Sequence, residues 1–540
     1  MNNSKPLQVV DLFAGPGGLG EGFSSLHDGN SFNVIVSAEM DPAARKTLRL
    51  RAYYRALKKN NPDALDEYYR FCETPGLIEP ELNRSKAQWV EADSEARQIC
   101  LGSPEGNKEL DGIIKDKLVA EKPWVLIGGP PCQAYSIVGR ARNRGKLDYK
   151  AEDDHRHFLY KEYLRIIQKN RPAVFVMENV KGILSSKVGG ESIFAQILGD
   201  LADPDKALGL PDEGRGKYRI CSLSTEEVYV SGQDPSTVNF KNFIVRSEEY
   251  GVPQARHRVI LVGVNEKFTT DTDGIQLGKA ANAVTVGDVI GTLPKIRSTL
   301  TKAVDSNDSW CFEVLKHLTS LNNSLADQIK VDPLLRARLK IVRDSFSGGG
   351  LLSGNLRLPK RDGEGEIKNT ELEAWYKDDR LGVWLNHEAR GHMSADLGRY
   401  IYAAVFAKVH KFSPKGHKDF DLPGLAPAHL NWESGKFNDR FRVQLENQPA
   451  TTVTSHISKD GHYFIHYDPN QCRSLSVREA ARLQTFPDNY FFLGNRTQQF
   501  HQVGNAVPPM LARNIAAVVE KIVSRELIRR NSQHDLISMT

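Results

Sequence analysis

Four groups of side chains stand where apolar runs end, and each could do chemistry. Gly128-Gly129-Pro130-Pro131-Cys132-Gln133 closes the run WVLIGG. Two prolines fix the backbone ahead of Cys132, which suits a positioned nucleophile reacting as its thiolate; a small buried packing cysteine is the ordinary alternative. The run AVFVM ends in Glu178 and Asn179, putting a carboxyl at a second such end, either to handle a proton or to cap the next helix. Gln254, Arg256 and Arg258 open the run RVILVGV. On a strand these three share a face, and two guanidiniums side by side are unfavourable unless they meet acceptors, so a ligand-facing role is expected. Finally, Gly15-x-Gly17-x-x-Gly20 matches the dinucleotide fingerprint, with Glu39 closing the next apolar run. Such glycines let the backbone turn sharply against a ligand, and the acid can accept ribose hydroxyls. The pattern suits NAD or any adenosine-containing cofactor, and equally a tight turn that binds nothing.

These groups need a scaffold that brings strand ends together. LQVVDLF, NVIVSAE, WVLIGG, AVFVMEN, NFIVRS and RVILVGV read as strands, separated by helix-like segments such as FLYKEYLRIIQKN. Strands alternating with helices imply an α/β fold with a mostly parallel, doubly wound sheet, whose carboxyl ends line one crevice. After about residue 264 the pattern deteriorates, and 265–445 reads as a smaller region of mixed structure containing the amphipathic LLRARLKIVRD. Order returns in 446–540: a hairpin is expected around Lys459-Asp460-Gly461, a helix at SVREAARLQTF and a long terminal helix after Pro508-Pro509. The stretch 45–59 carries seven basic residues and no acid, which fits either a solvated helix face or a phosphate-contacting one.

The composition bounds the partners. Among 540 residues, 72 Lys and Arg against 67 Asp and Glu leave a net charge of +5, so nucleic-acid binding would need a local basic cleft. Charged residues at 26% and hydrophobic ones at 40% are ordinary for a folded chain and argue against wholesale disorder. The six cysteines form no CxxC pair, His387 and His392 lack a third ligand, and no metal is expected. Neither a leader segment nor a membrane span is legible, so a reduced, cytoplasmic protein is expected.

DLFAGPGG, SAEMD, GGPPCQAYS, ENVKG, QARHR, RSLSVREAARLQTFPD and QVGNAVPP, in that order, resemble the ordered motifs of the DNA (cytosine-5) methyltransferases, here of the bacterial restriction-modification type. The resemblance implies a Rossmann-like catalytic domain over 1–264, a target-recognition domain over 265–445, and a segment 446–540 that returns to the catalytic domain. It implies S-adenosyl-L-methionine as cofactor, with S-adenosyl-L-homocysteine as product. Cys132 would attack C6 of a flipped-out cytosine, Glu178 would hold its N3/N4 edge, and Arg258 with Arg256 would face O2 or order the catalytic loop. Phe13, Gly15, Gly17, Glu39, Met40, Pro131, Asn505 and Val507 would surround the cofactor, with Asp93 as the acid on the adenine amine. Met40 stands where the family often has an aromatic ring, so a thioether contact would replace it. Gln133, Ser136, Arg140, Arg142 and Gln254 would face DNA. Double-stranded DNA is the implied partner, a cognate restriction endonuclease would act separately, and a nucleoid-associated monomer is expected. Two rival readings remain: a tRNA cytosine-5 methyltransferase of the same fold and, more distantly, an NAD-dependent oxidoreductase.

Overall fold

The computed structural model describes residues 6–131, 159–188, 190–326, 332–428, 432 and 440–538, with side chains to 533. Cys132, Gln133, Ser136, Arg140 and Arg142 therefore lie outside the described residues. One nine-stranded sheet organises the first half of the chain. Its strands are β1 (Leu7–Leu12), β2 (Phe32–Glu39), β3 (Ala96–Gln98), β4 (Trp124–Gly128), β5 (Val174–Val180), β6 (Tyr218–Cys221), β7 (Val228–Tyr229), β8 (Ile244–Arg246) and β9 (His257–Asn265). The order is β3-β2-β1-β4-β5-β9-β6-β7, with β8 also on β9.

The five strands from β3 to β5 run parallel. β9 is antiparallel to β5, β6 and β8, so the sheet is mixed rather than mostly parallel. All the expected strand runs form. β3, β6 and β7 are additions, too short to show a period in the sequence.

Continuous apolar runs form the central strands because both faces are covered. Val10, Leu12, Leu126 and Phe175 pack on one side with α5 (Pro104–Lys117), α6 (Leu159–Asn170) and α7 (Ile193–Ala202). Val9, Val125, Ile127 and Val174 pack on the other with α1 (Gly18–Ser25) and the terminal helix α13 (Pro509–Ser538). That contact is close: a Cβ at Gly18 would stand 2.1 Å from the Val507 carbonyl oxygen, and one at Gly22 would stand 2.3 Å from Ala512.

A second core runs from Val284 to Met510. It gathers α8 (Asn307–Ala326), α9 (Pro333–Ser345), α10 (Ser394–His410), α11 (Val477–Leu483) and α12 (Arg496–Asn505) beside the hairpin of Gly354–Pro359 with Val383–Glu388. The hairpin expected around Gly461 is absent. Ala450–Thr451 pairs in parallel with Gln254–Ala255 instead, and Val453 N–H donates to Gln254 Oε1 at 2.8 Å, so the hairpin's first arm is taken by the segment that leads into β9.

The basic stretch forms α2 (Pro42–Asn60), capped by Asp41, and its four arginines are engaged by carboxylates of the protein. Arg51 pairs with buried Glu21 at 2.8 Å and donates to Asn489 at 2.9 Å; Arg55 reaches Glu21 and Glu95. Burial alone would raise the Glu21 carboxyl, but Arg51 and Arg55 overcome it and hold it below the usual range. Only Lys46, Lys58 and Lys59 of the seven are exposed. With α3 (Leu65–Glu73) and α4 (Lys86–Glu95), α2 packs against Leu381, Val383, Leu385 and Phe491. Arg357 donates to the Cys72 carbonyl at 3.0 Å, so these three helices brace the second core against the sheet.

Candidate active site

The parallel strands end at one edge, where the turn after β1 meets the ends of β2, β3, β4 and β5. Phe13, Gly15 and Gly17 all adopt positive φ, at 56°, 58° and 98°. Ala14 N–H donates to Ala38 O, and Gly17 N–H to Ala14 O at 2.9 Å. A Cβ at Gly15 would meet nothing within 4 Å, so the turn opens onto free space, and glycine is needed there for its left-handed backbone.

Glu39 ends β2. Its Oε2 accepts from Gly15 N–H and its Oε1 from Asp41 N–H, both at 2.8 Å. Burial raises its pKa against the amides of Asp41, Gly15 and Met40, and its two oxygens retain lone-pair capacity for another donor. Met40 follows with its side chain 64% exposed, an apolar surface at the same edge.

Asp93 is not brought to this edge. It lies on α4, where Arg45 and Arg49 claim its carboxylate; burial would raise its pKa, and the two guanidiniums hold it low. Gln98 stands opposite Glu39 in the register of β2 and β3, exposed, with its amide 3.5 Å from the Met40 carbonyl. The sequence reading missed it because a three-residue strand carries no periodicity.

β4 and β5 supply the other half. Glu178 Oε1 is 2.8 Å from Arg258 Nε, and a Cβ at Gly129 would lie 3.1 Å from Glu178 Oε2. Glycine at 129 thus leaves Oε2 unobstructed over the crevice floor. Asn179 is buried and donates to the Pro130 carbonyl at 3.4 Å, tying β5 to the segment that ends, among described residues, at Pro131. Asn179 is a positioning residue whose only sequence signal was its place beside Glu178.

Arg256 and Gln254 part company with Arg258. Burial, then the adjacent Arg258, pull the Arg256 guanidinium well below its usual pKa, and it donates to the carbonyls of Val453 at 2.7 Å and Gly504 at 3.4 Å. Arg256 therefore fastens the later segments to β9 and does not face a ligand. Gln254 is fully buried; its amide donates to Leu483 O and Gln484 Oε1, both at 3.0 Å. The expectation that it faces DNA is corrected: every one of its polar atoms is spent inside the protein. Asn505 is exposed, 3.2 Å from the His501 ring, and Val507 lies over Gly18.

A family model of C-5 cytosine-specific DNA methylases matches residues 105–205 and 238–521. The chain belongs to this family. Among the relatives of this cytosine-5 methylase, the type II methyltransferase M.Bpa9945I of Bacillus paralicheniformis is 31% identical over 532 residues, covering 96% of this chain and 99% of the relative. M.AgeI of Thalassovita gelatinovora is 25% identical over 543 residues, covering 96% and 100%. Among solved structures, a candidate DNA modification methyltransferase encoded within an E. coli prophage aligns with a TM-score of 0.50 at 20% identity, covering 96% of this chain and 99% of that one, a likeness of fold. The protein is a DNA (cytosine-5)-methyltransferase with an α/β, Rossmann-like fold. Among the described residues, no helix is long and apolar enough to cross a membrane.

Proposed function

We propose that the protein methylates C5 of a cytosine flipped out of duplex DNA, through a covalent bond from Cys132 to C6, with S-adenosylmethionine as cofactor. The observation that carries this reading is the Glu178–Arg258 pair beside Pro130-Pro131, because the next residue in the chain is Cys132. C5 of cytosine is a poor nucleophile, and thiolate addition at C6 gives it enamine character; once C5 carries the methyl group, loss of the C5 proton and expulsion of the Cys132 thiolate restore the ring. Glu178, with Arg258 on one oxygen, has the other available for the N3/N4 edge, where a shared proton would offset the charge that develops on attack. Extrusion of the base is required because the ring is shielded within the stack.

The cofactor supplies the methyl group when bound, and the residues at the edge fit it. The open floor at Gly15, the spare lone pairs of Glu39 and the exposed Met40 thioether match a turn-borne amino-acid tail, a ribose and an adenine ring. Phe13, Gly17, Pro131, Asn505 and Val507 complete the enclosure. Gln98, whose amide both donates and accepts, replaces Asp93 as the group for the adenine edge.

The division into a catalytic 1–264, a recognition 265–445 and a returning 446–540 accompanies this reading. A restriction-modification role is supported by relatives named type II methyltransferases, and a monomer with a separate endonuclease accompanies this reading. The test is transfer of labelled methyl from S-adenosylmethionine to duplex DNA, with tRNA in parallel. Label in tRNA with none in duplex DNA overturns this reading. Resistance of the methylated DNA to an endonuclease cutting the same site tests the protective role.

A further inference from the structure

The glycine turn is pinned from two directions. Ala38 and Glu39 hold it from β2. From the opposite side the Tyr490 hydroxyl donates to the carbonyl of Pro16, and a Cβ at Gly17 would lie 2.9 Å from the same hydroxyl. Tyr490 is 1% exposed and lies 474 positions away in sequence. Its ring packs at 4.7 Å from Phe486 and 5.3 Å from Phe492, an environment in which a phenylalanine would serve as well but for the hydroxyl. A buried hydroxyl needs a partner, and this one has been given a carbonyl of the turn.

Tyr490 is itself held by two arginines. Arg51 lies over its ring at 4.9 Å, and Arg478 donates to its carbonyl at 2.6 Å. The same Arg478 donates to Leu385 O at 2.8 Å, in the hairpin of the second core. A continuous series of contacts thus runs from that hairpin through Arg478 and Tyr490 to the turn.

We propose that Tyr490 is a positioning residue for cofactor binding: its hydroxyl sets the Pro16–Gly17 peptide from the side of the second core, so that the cofactor turn is held from both sides when that core is docked. This rests on the S-adenosylmethionine reading above.

Calorimetric titration with S-adenosylhomocysteine tests it on the full chain. Y490F keeps the packed ring and should bind about five- to ten-fold more weakly, the loss expected of one buried hydrogen bond. In turnover, KM for S-adenosylmethionine should rise by the same factor, kcat at saturating cofactor should change less, and KM for DNA should stay put. Y376F is the control: Tyr376 is equally buried and donates to Arg482 O at 2.6 Å, away from the turn, and this variant should bind within about two-fold of the unaltered chain. Unchanged binding by Y490F, or an equal loss in Y376F, overturns the proposal. Should Y490F not fold, hydrogen exchange in the unaltered protein decides: S-adenosylhomocysteine should slow exchange in both 13–18 and 486–492 but not in 370–377, and no slowing in 486–492 overturns it. If the unaltered chain binds no S-adenosylhomocysteine at all, the cofactor reading fails and this proposal falls with it.

Discussion

The crevice and the second core use the same residue types in opposite ways. In the core, Arg473 meets both oxygens of Glu479 at 2.6 and 2.7 Å, and Arg482 meets both of Asp488 at 2.7 and 2.9 Å. His387 accepts from Ser476 and donates to the Pro294 carbonyl, both at 2.9 Å, which fixes a neutral ring. Each of these charged groups and rings is consumed by a neighbour. At the crevice, Glu178 gives one oxygen to Arg258, Glu39 keeps lone pairs, and Gly15 faces open space. An ionisable residue is therefore read as functional by what it has left over after folding, not by its type or burial.

Variants can break or sharpen that contrast. The largest effect is expected from Cys132→Ser, which should drop methyl transfer below detection while S-adenosylhomocysteine still binds in the titration. Glu178→Gln should lower the single-turnover rate by about 10²–10⁴-fold, with the melting temperature shifted by no more than about 2 °C. Next comes the core: Glu479→Gln leaves Arg473 buried without its counter-charge and should cost about 3–5 kcal/mol in urea unfolding. If that loss appeared as rate rather than stability, the contrast would be wrong.

Acid should act on the core in the same sense. Burial pulls His387 and His466 down to about 4 in the folded protein, against about 6.5 unfolded. A histidine held neutral contributes stability that is fully present above its unfolded pKa and is lost as pH falls toward the folded one. Glu479, also buried, is held low by Arg473 and adds a further loss below its ordinary range. Calorimetric melting should therefore be flat above about pH 7 and fall from pH 6.5 to 4; a melting temperature constant across that window would refute the neutral-histidine assignment. The smallest effect is Met40→Ala, expected to raise KM for S-adenosylmethionine by about two- to three-fold through lost thioether contact.

The strands and the glycine turn were legible because their information is local: apolar runs, then a break. What was not legible depended on partners far along the chain. The arginines of α2 looked free, yet Arg51 finds Asn489 438 positions away. Gln254 and Arg258 share an alternation, but one is consumed by Leu483 and Gln484 and the other by Glu178. The acid Asp93 attracted notice for its type, while the amide Gln98 went unseen on a strand of three residues. The hairpin around Gly461 failed because its first arm had a better partner in Gln254–Ala255.

The passage of Val507 over Gly18, and of α13 along α1, has a consequence for synthesis. One face of the nine-stranded sheet, covered in part by α1, is completed only once α13 has been made, roughly half a minute to two minutes into synthesis at ordinary elongation rates. A chain that stops before α13 leaves Val9, Val125 and Val174 without the helix that packs on them beside α1.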